Sequence, residues 1–298
     1  MTLPRFTYLS PRSLREASAL LAAHGDKARL MAGGTDLLIR MSHRAMTPEF
    51  VIGLGRLPGL DYLRFDPDKG LSIGALAKLS GVAESSEVNR YYPALAQSAA
   101  VTATVQIRNM GTVVGNICNA APSADNACPL LVHDAEVLAA QPGGERIIPL
   151  DEFFRGPGLT ALEPGEIVKE IRLPAPGRRT ASNYQKISAR SKVDIAATAV
   201  AALIGLDEEG LCSKARIALG AVGPTPLRAR RAEKILEGRA PSPELIAQAG
   251  AAAAEESSPI SDVRASAGYR KAMVEVLTKR ALTAAAEAAG KLAAGCEI

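Results

Sequence analysis

Tryptophan is absent from the 298 residues, and aromatic side chains make up only 4% of them. With 47% of the chain hydrophobic, the interior must be built mainly from aliphatic side chains and alanine. Long apolar runs are missing as well. None approaches the ~18 residues needed to cross a bilayer, and the first ten residues, with Pro4 and Arg5 among them, lack the apolar centre of a secretory leader. A cytoplasmic protein with no membrane segment is expected. Neither sign of charge is in excess: 35 basic residues stand against 31 acidic ones. The basic residues are scattered, with few rings between them, so no nucleic-acid footprint is expected. The four cysteines, Cys118, Cys128, Cys212 and Cys296, form no C-x-x-C pair, which argues against a zinc ribbon or a ferredoxin-type cluster. His24 and His43 have no companion ligand at metal spacing, and His133, in the apolar run Leu130-Leu131-Val132-His133, reads as a core residue. No metal is expected in this chain.

What is present is a succession of short elements. Phe6 to Leu9 reads as a strand, followed by an amphipathic helix with Leu14, Ala17, Leu20 and Leu21 on one face, Ser10 as its expected N-cap and Pro11 as its first residue. Ala28 to Ala32 is a strand, a short helix follows around Asp36 to Ser42, and Val51 to Leu54 is a third strand. This β-α-β opening forms a small first lobe, residues 1–55 or so. Leu60 to Leu63 and Leu71 to Ile73 pair around the turn signal Asp66-Pro67-Asp68-Lys69-Gly70. Helices follow through Val82 and over Pro93 to Ala100. Strands are expected over Ala135 to Ala140, Arg146 to Pro149 and Glu166 to Leu173, with a loop anchored by Phe153 and Phe154 between the last two. Pro174-Ala175-Pro176-Gly177 has no helix or ladder capacity and marks a boundary. Beyond it, Asn183 to Ser188, Ile195 to Leu206 and Ala215 to Val222 predict an antiparallel meander. Helices then run over Pro226 to Glu237, Pro243 to Glu256 and about Asp262 to Lys291, the last with Val263, Met273, Val274, Val276, Leu277 and Leu282 as its buried stripe. The fold class is α+β: a two-lobed nucleotide-binding domain over residues 1–174, its second lobe from about 56, then a sheet and helical bundle over 178–290.

Two glycine-bearing stretches carry the chemistry. The run from Ile107 to Asp125 holds Gly111 and Gly115, where a ligand can approach the backbone closely, with Thr112, Asn116 and Ser123 as uncharged donors. Amides of such a loop can cradle phosphate, and Asp125 could accept from the hydroxyls of a ribose. An ordinary polar loop capping a sheet fits the same residues. The earlier stretch, Ala32-Gly33-Gly34-Thr35-Asp36-Leu37, follows a short apolar run. It matches neither G-x-G-x-x-G nor G-x-x-x-x-G-K-[ST], which argues against a Rossmann fold and a P-loop.

Taken in order, Ala-Gly-Gly-Thr-Asp-Leu and then Ile-Arg-Asn-x-Gly-Thr-x-x-Gly-Asn-Ile…Pro-x-x-Asp resemble the FAD-binding medium subunit of the molybdenum hydroxylases, the group that holds xanthine dehydrogenase and carbon monoxide dehydrogenase. The resemblance spans nearly the whole chain, including Tyr184 to Arg190, Asp194 to Ala196 and Ile217 to Val222. It implies a p-cresol methylhydroxylase-like flavin domain followed by a C-terminal domain, and one FAD bound without a covalent link. By motif position it implicates Ala32, Gly33, Gly34, Thr35, Asp36 and Leu37 from the first lobe, Thr112, Gly115, Asn116 and Ser123 from the second, and Asp125 on the ribose or adenine side. Asp36 is expected to cap its helix or orient an amide, since a carboxylate repels phosphate. Lys186 and the Arg190/Asp194 turn correspond to a segment bordering the isoalloxazine, where a cation would favour the reduced flavin. Ile195 stands where some relatives place an aromatic against the ring. Val114 replaces a glycine common in relatives and would crowd the phosphate turn.

The same resemblance implies partners: a large molybdopterin subunit and a small subunit with [2Fe-2S] clusters, assembled as a dimer of heterotrimers. The chain would relay electrons from those clusters to an external acceptor and would carry no catalytic residue for the organic substrate. It lacks the inserted cysteine-rich loop of the related 4-hydroxybenzoyl-CoA reductase subunit, so no cluster is expected here. Two other readings remain: a flavin-binding accessory or assembly protein, and a self-sufficient flavoprotein oxidase, for which no acid or base beside the flavin is evident.

Overall fold

The computed structural model describes residues 2–191 and 193–295; Cys296 lies outside them. The chain opens on a three-stranded parallel sheet of β1 (Thr7–Leu9), β2 (Ala28–Met31) and β3 (Phe50–Gly53), with β3 in the middle. Helices α1 (Leu14–His24) and α2 (Leu37–Ser42) make its crossovers. Ser13, and not Ser10, caps α1. Its hydroxyl accepts from the Glu16 amide at 3.1 Å while Glu16 Oε2 accepts from the Arg12 amide at 2.8 Å. The spacing Ser13-x-x-Glu16 satisfies donors at both ends of the turn, which a proline at the first position cannot do.

The second sheet is antiparallel throughout. It contains β4 (Leu63–Asp66), β5 (Gly70–Gly74), β6 (Glu136–Gln141), β7 (Gly144–Pro149) and, after the small hairpin β8 (Phe154–Gly156) and β9 (Leu159–Thr160), β10 (Ile167–Leu173). Its order is β4-β5-β10-β6-β7. The first strand starts later than the expected Leu60. The Leu60 and Tyr62 carbonyls are taken by the Leu76 and Gly74 amides, outside the regular ladder. The stretch expected as a loop forms the β8–β9 hairpin, with Phe153 and Phe154 buried as its anchors. Seven short helices fill the connections: α3 (Leu79–Glu84), α4 (Ser86–Tyr91), α5 (Pro93–Val101), α6 (Val105–Arg108), α7 (Val113–Cys118), α8 (Ala127–Val132) and α9 (Leu150–Phe153).

The third sheet is the expected meander, β11 (Thr180–Ile187), β12 (Thr198–Leu206) and β13 (Cys212–Gly220), extended by β14 (Leu227–Arg228). The helix expected from Pro226 starts only at α10 (Arg230–Leu236), because Leu227 and Arg228 pair with Leu219 and Ala218. Helices α11 (Pro243–Glu256) and α12 (Ala267–Ala293) complete the layer. Ser266 caps α12, so Val263 lies in the preceding loop at 99% exposure and not in the buried stripe. That stripe is Val274, Leu277, Ala281, Leu282, Ala285 and Ala289, while Met273 and Val276 are only half-buried.

β12 explains how the layers join. Its residues Ala199, Ala201 and Leu203 belong to the core shared with the first two sheets, and Val200, Ala202 and Ile204 to the core beneath α10–α12. Alternate side chains point to opposite faces, so a strand covered on both sides reads, after Thr198, as the apolar run Ala-Val-Ala-Ala-Leu-Ile-Gly-Leu. No helix among the described residues is long and apolar enough to cross a membrane.

Candidate functional site

The two glycine turns meet. β2 ends at Met31, and the chain turns through Gly33 and Gly34 (φ +73°) into α2. Gly33 presses on the second turn so closely that a Cβ there would sit 2.1 Å from the Met110 carbonyl oxygen and 2.9 Å from Gly111 Cα. That second turn is itself tied down. The Leu79 amide donates to Gly111 O at 3.0 Å, the Val113 amide to Ala77 O at 3.3 Å, and Lys78 Nζ to Met110 O at 3.2 Å. The Thr112 hydroxyl accepts from the Gly115 amide at 2.9 Å and so caps α7.

Between and beside the turns lies a cavity of about 550 Å³, within the range of small-molecule sites, roughly 300–1,000 Å³. Residues Ala32 to Leu37 line it, as do Thr112, Gly115, Asn116, Ser123 and Asp125; Lys186 does not. Ile195, 53% exposed, reaches the wall from the third sheet's side. Val114, expected to crowd the turn, occupies the first turn of α7; it is buried at 5% exposure and also lines the cavity. Asp36 stands at the start of α2 with helical backbone, yet its carboxylate accepts no capping bond. Burial raises its proton affinity, and Arg40 one turn on draws it back. Arg40 and Arg29 also line the cavity, with Arg29 Nη1 donating to the Asp26 and Ala28 carbonyls at 3.0 and 2.6 Å. Sequence reading missed both, since an arginine without a motif carries no positional signal. Cys118 lines the wall too. Burial pushes its thiol up to about 12, so it stays protonated and unreactive at neutral pH.

Asn126, fully buried, was also missed. Its carbonyl accepts from Ser98 Oγ at 3.1 Å, and its amide donates to Thr102 Oγ1 at 3.3 Å and to Asn116 Oδ1 at 3.1 Å. The last bond fixes the Asn116 amide so that its own NH₂ is on the edge away from Asn126. Replacing Asn126 by alanine orphans buried partners at about 1–3 kcal/mol each. Ser98 and Thr102 can fall back on the Leu95 and Ser98 carbonyls, so a net loss near 2 kcal/mol is expected in chemical denaturation. A variant as stable as the parent would show that the network is not holding the loop.

At the cavity's far wall, Asp125 joins the third sheet. Tyr184 Oη donates to Asp125 Oδ1 at 2.7 Å and Lys186 Nζ to Asp125 Oδ2 at 3.0 Å, all three side chains being buried or nearly so. Burial raises the carboxyl's proton affinity above the usual range, against the pull of Lys186 and Tyr184. The Tyr184 phenol is held well above its ordinary value by burial, then by Asp125 and Cys128. Lys186 therefore reaches the cavity only through Asp125. His133, expected in the core, is there: it contacts Ser182 Oγ at 3.1 Å, and burial lowers its pKa to about 3, so the ring is neutral.

Residues 4–176 match the family model described as FAD binding domain in molybdopterin dehydrogenase, and residues 183–285 the one described as CO dehydrogenase flavoprotein C-terminal domain. The chain is 36% identical over 282 residues to the carbon monoxide dehydrogenase medium chain of Hydrogenophaga pseudoflava, an alignment covering 95% of this chain and 97% of that one. It is 33% identical over 285 residues to the xanthine dehydrogenase FAD-binding subunit of Escherichia coli O157:H7, covering 95% and 97%. The fold superposes with a TM-score of 0.93 on a chain of the Hydrogenophaga pseudoflava carbon monoxide dehydrogenase that lacks the Mo-pyranopterin moiety, at 37% identity and with 97% and 99% of the two chains covered.

Proposed function

The chain belongs to the family of FAD-binding subunits of molybdenum hydroxylases, and from that premise we propose which residues hold the FAD and with what partners the subunit works. It is an oxidoreductase component that relays electrons and is not self-sufficient. When bound, FAD supplies the exchange between one-electron carriers and a two-electron acceptor.

The residues present fit that cofactor. Gly33 lets two backbone turns close to a distance that any side chain would forbid. The amides of the first turn are donors suited to a diphosphate, whereas those of Gly111, Val113, Gly115 and Asn116 in the second are engaged within the chain. In this reading Ala32 to Leu37 and Thr112, Gly115, Asn116 and Ser123 hold the diphosphate and its neighbours, with Arg29 and Arg40 supplying countercharge at the rim. Asp125, backed by Lys186 and Tyr184, holds hydroxyls at one end. Ile195 covers the ring with an aliphatic surface and excludes water without stacking on it. The observation that carries the reading is the backbone contact between Gly33 and Met110–Gly111, which makes two remote segments one cradle.

In this proposal the subunit assembles with a large molybdopterin subunit and a small [2Fe-2S] subunit, as a dimer of such heterotrimers in the cytoplasm. Purified protein is expected to show flavin absorbance near one equivalent per chain, released by acid or heat, and the chain is expected to co-purify with both partners when all three are expressed together. Colourless protein that takes up no added FAD would end the cofactor assignment. FAD-loaded protein that never joins the partners would leave an accessory role instead.

A further inference from the structure

Asp125, a carboxylate on the cavity wall, is bonded from β11 of the third sheet. Both of its oxygens are engaged, Oδ1 by the Tyr184 hydroxyl at 2.7 Å and Oδ2 by Lys186 Nζ at 3.0 Å. An ionised carboxylate offers about four acceptor positions, so about two remain for ligand hydroxyls on the cavity side. The Tyr184 side is fixed from behind, since its backbone amide donates to Gln97 Oε1 at 2.8 Å on α5. Tyr184 itself lies in the core at 6% exposure.

We propose that Tyr184 sets the pH at which the cavity can hold FAD, by locking Asp125 in its ionised, Lys186-paired form. The proposal rests on the FAD assignment above and concerns a positioning residue that acts through Asp125. The groups that face the carboxylate among the described residues are Lys186 and Tyr184 from β11 and the Cys128 thiol from α8. Burial favours the neutral acid, while Lys186 and Tyr184 oppose it. If Asp125 takes a proton, two acceptors facing the ligand are weakened and Lys186 is left as a buried, uncompensated cation. Binding is therefore lost as pH falls through the Asp125 titration. Removing the tyrosine hydroxyl deletes a bond that the carboxylate accepts more strongly than the neutral acid does, so the same loss begins at higher pH.

The test is FAD affinity of the full chain, read by flavin fluorescence quenching across pH 5 to 9. Tyr184→Phe keeps the ring and its packing. Relative to its own affinity at pH 9, it is expected to move the acid limb up by about one pH unit, a tenfold change in proton affinity. Asp125→Asn is expected to bind more weakly at every pH and to show no acid limb in this range. A Tyr184→Phe limb that coincides with the parent's, or an equal loss at every pH, would overturn the proposal. So would a limb that survives in Asp125→Asn, which decides the matter even if the phenylalanine variant fails to fold. A parent protein that binds no FAD at any pH would overturn the cofactor assignment instead.

Discussion

Gly33→Ala is expected to strip the protein of its flavin. The new methyl would lie 2.1 Å from Met110 O, 2.8 Å from Met110 C and 2.9 Å from Gly111 Cα, all of them backbone atoms with no side-chain torsion to relieve the clash. The second turn cannot simply retreat, because Ala77, Lys78 and Leu79 bind it from behind. The two turns must part by about an ångström, and a cradle opened that far loses affinity by about a hundredfold or more. Gly34→Ala separates this effect from backbone strain. Its φ of +73° costs an alanine about 1–2 kcal/mol, but its nearest neighbours are the flexible side chains of Leu38 and Met31 at 3.3 Å. Gly55→Ala, with nothing within 4 Å, should be silent. The measurement is the flavin-to-protein absorbance ratio of the three purified variants. Full occupancy in Gly33→Ala would mean that the turns do not share one ligand.

The second large effect lies in the third sheet's helical layer. Arg228 and Glu233 are buried together, their side chains 7% and 6% exposed, with Nη2 donating to Oε2 at 2.8 Å. Glu233 Oε1 also accepts from the Ile217 amide in β13 at 2.9 Å. Glu233→Ala removes the counter-ion and leaves a guanidinium buried beside Asp134, itself already shared with Lys214 and Arg216. Breaking such a pair from one side costs about 3–5 kcal/mol, so the urea midpoint should fall markedly. Glu233→Met with Arg228→Met should recover part of the loss, since an apolar pair needs no desolvation of charge while the Ile217 amide still lacks its acceptor. A single variant that loses less than about 1 kcal/mol would show the pair to be hydrated in solution.

These two sites differ in how far they could be read in advance. The glycine turns stand out because conformational freedom and close approach select glycine at fixed positions in a short segment. The meander and α11, bounded by Ser242 and opened by Pro243, stand out because caps and periodicity are written in consecutive residues. The unbroken apolar run of β12 marks a strand covered on both faces. Ser10 and Val263 were misread because each lies near a true boundary, where several local signals compete over a few residues. No local signal distinguished Arg228, Glu233 or Asn126, whose side chains matter through partners that only the folded chain brings to them.

The amino-acid order alone therefore settled that this chain is α+β, that it carries the paired turns of a flavin subunit, and that its last third is a sheet under helices. Folding settled the rest: that Gly33 meets a carbonyl of the other turn, that Lys186 is spent on Asp125, and that Asn126 holds the loop between them. Propensity, capping and turn chemistry act over a few neighbouring residues and survive in any stretch of chain. Which distant atoms come to 3 Å of one another depends on how whole layers stack, and that exists only once the cores have closed.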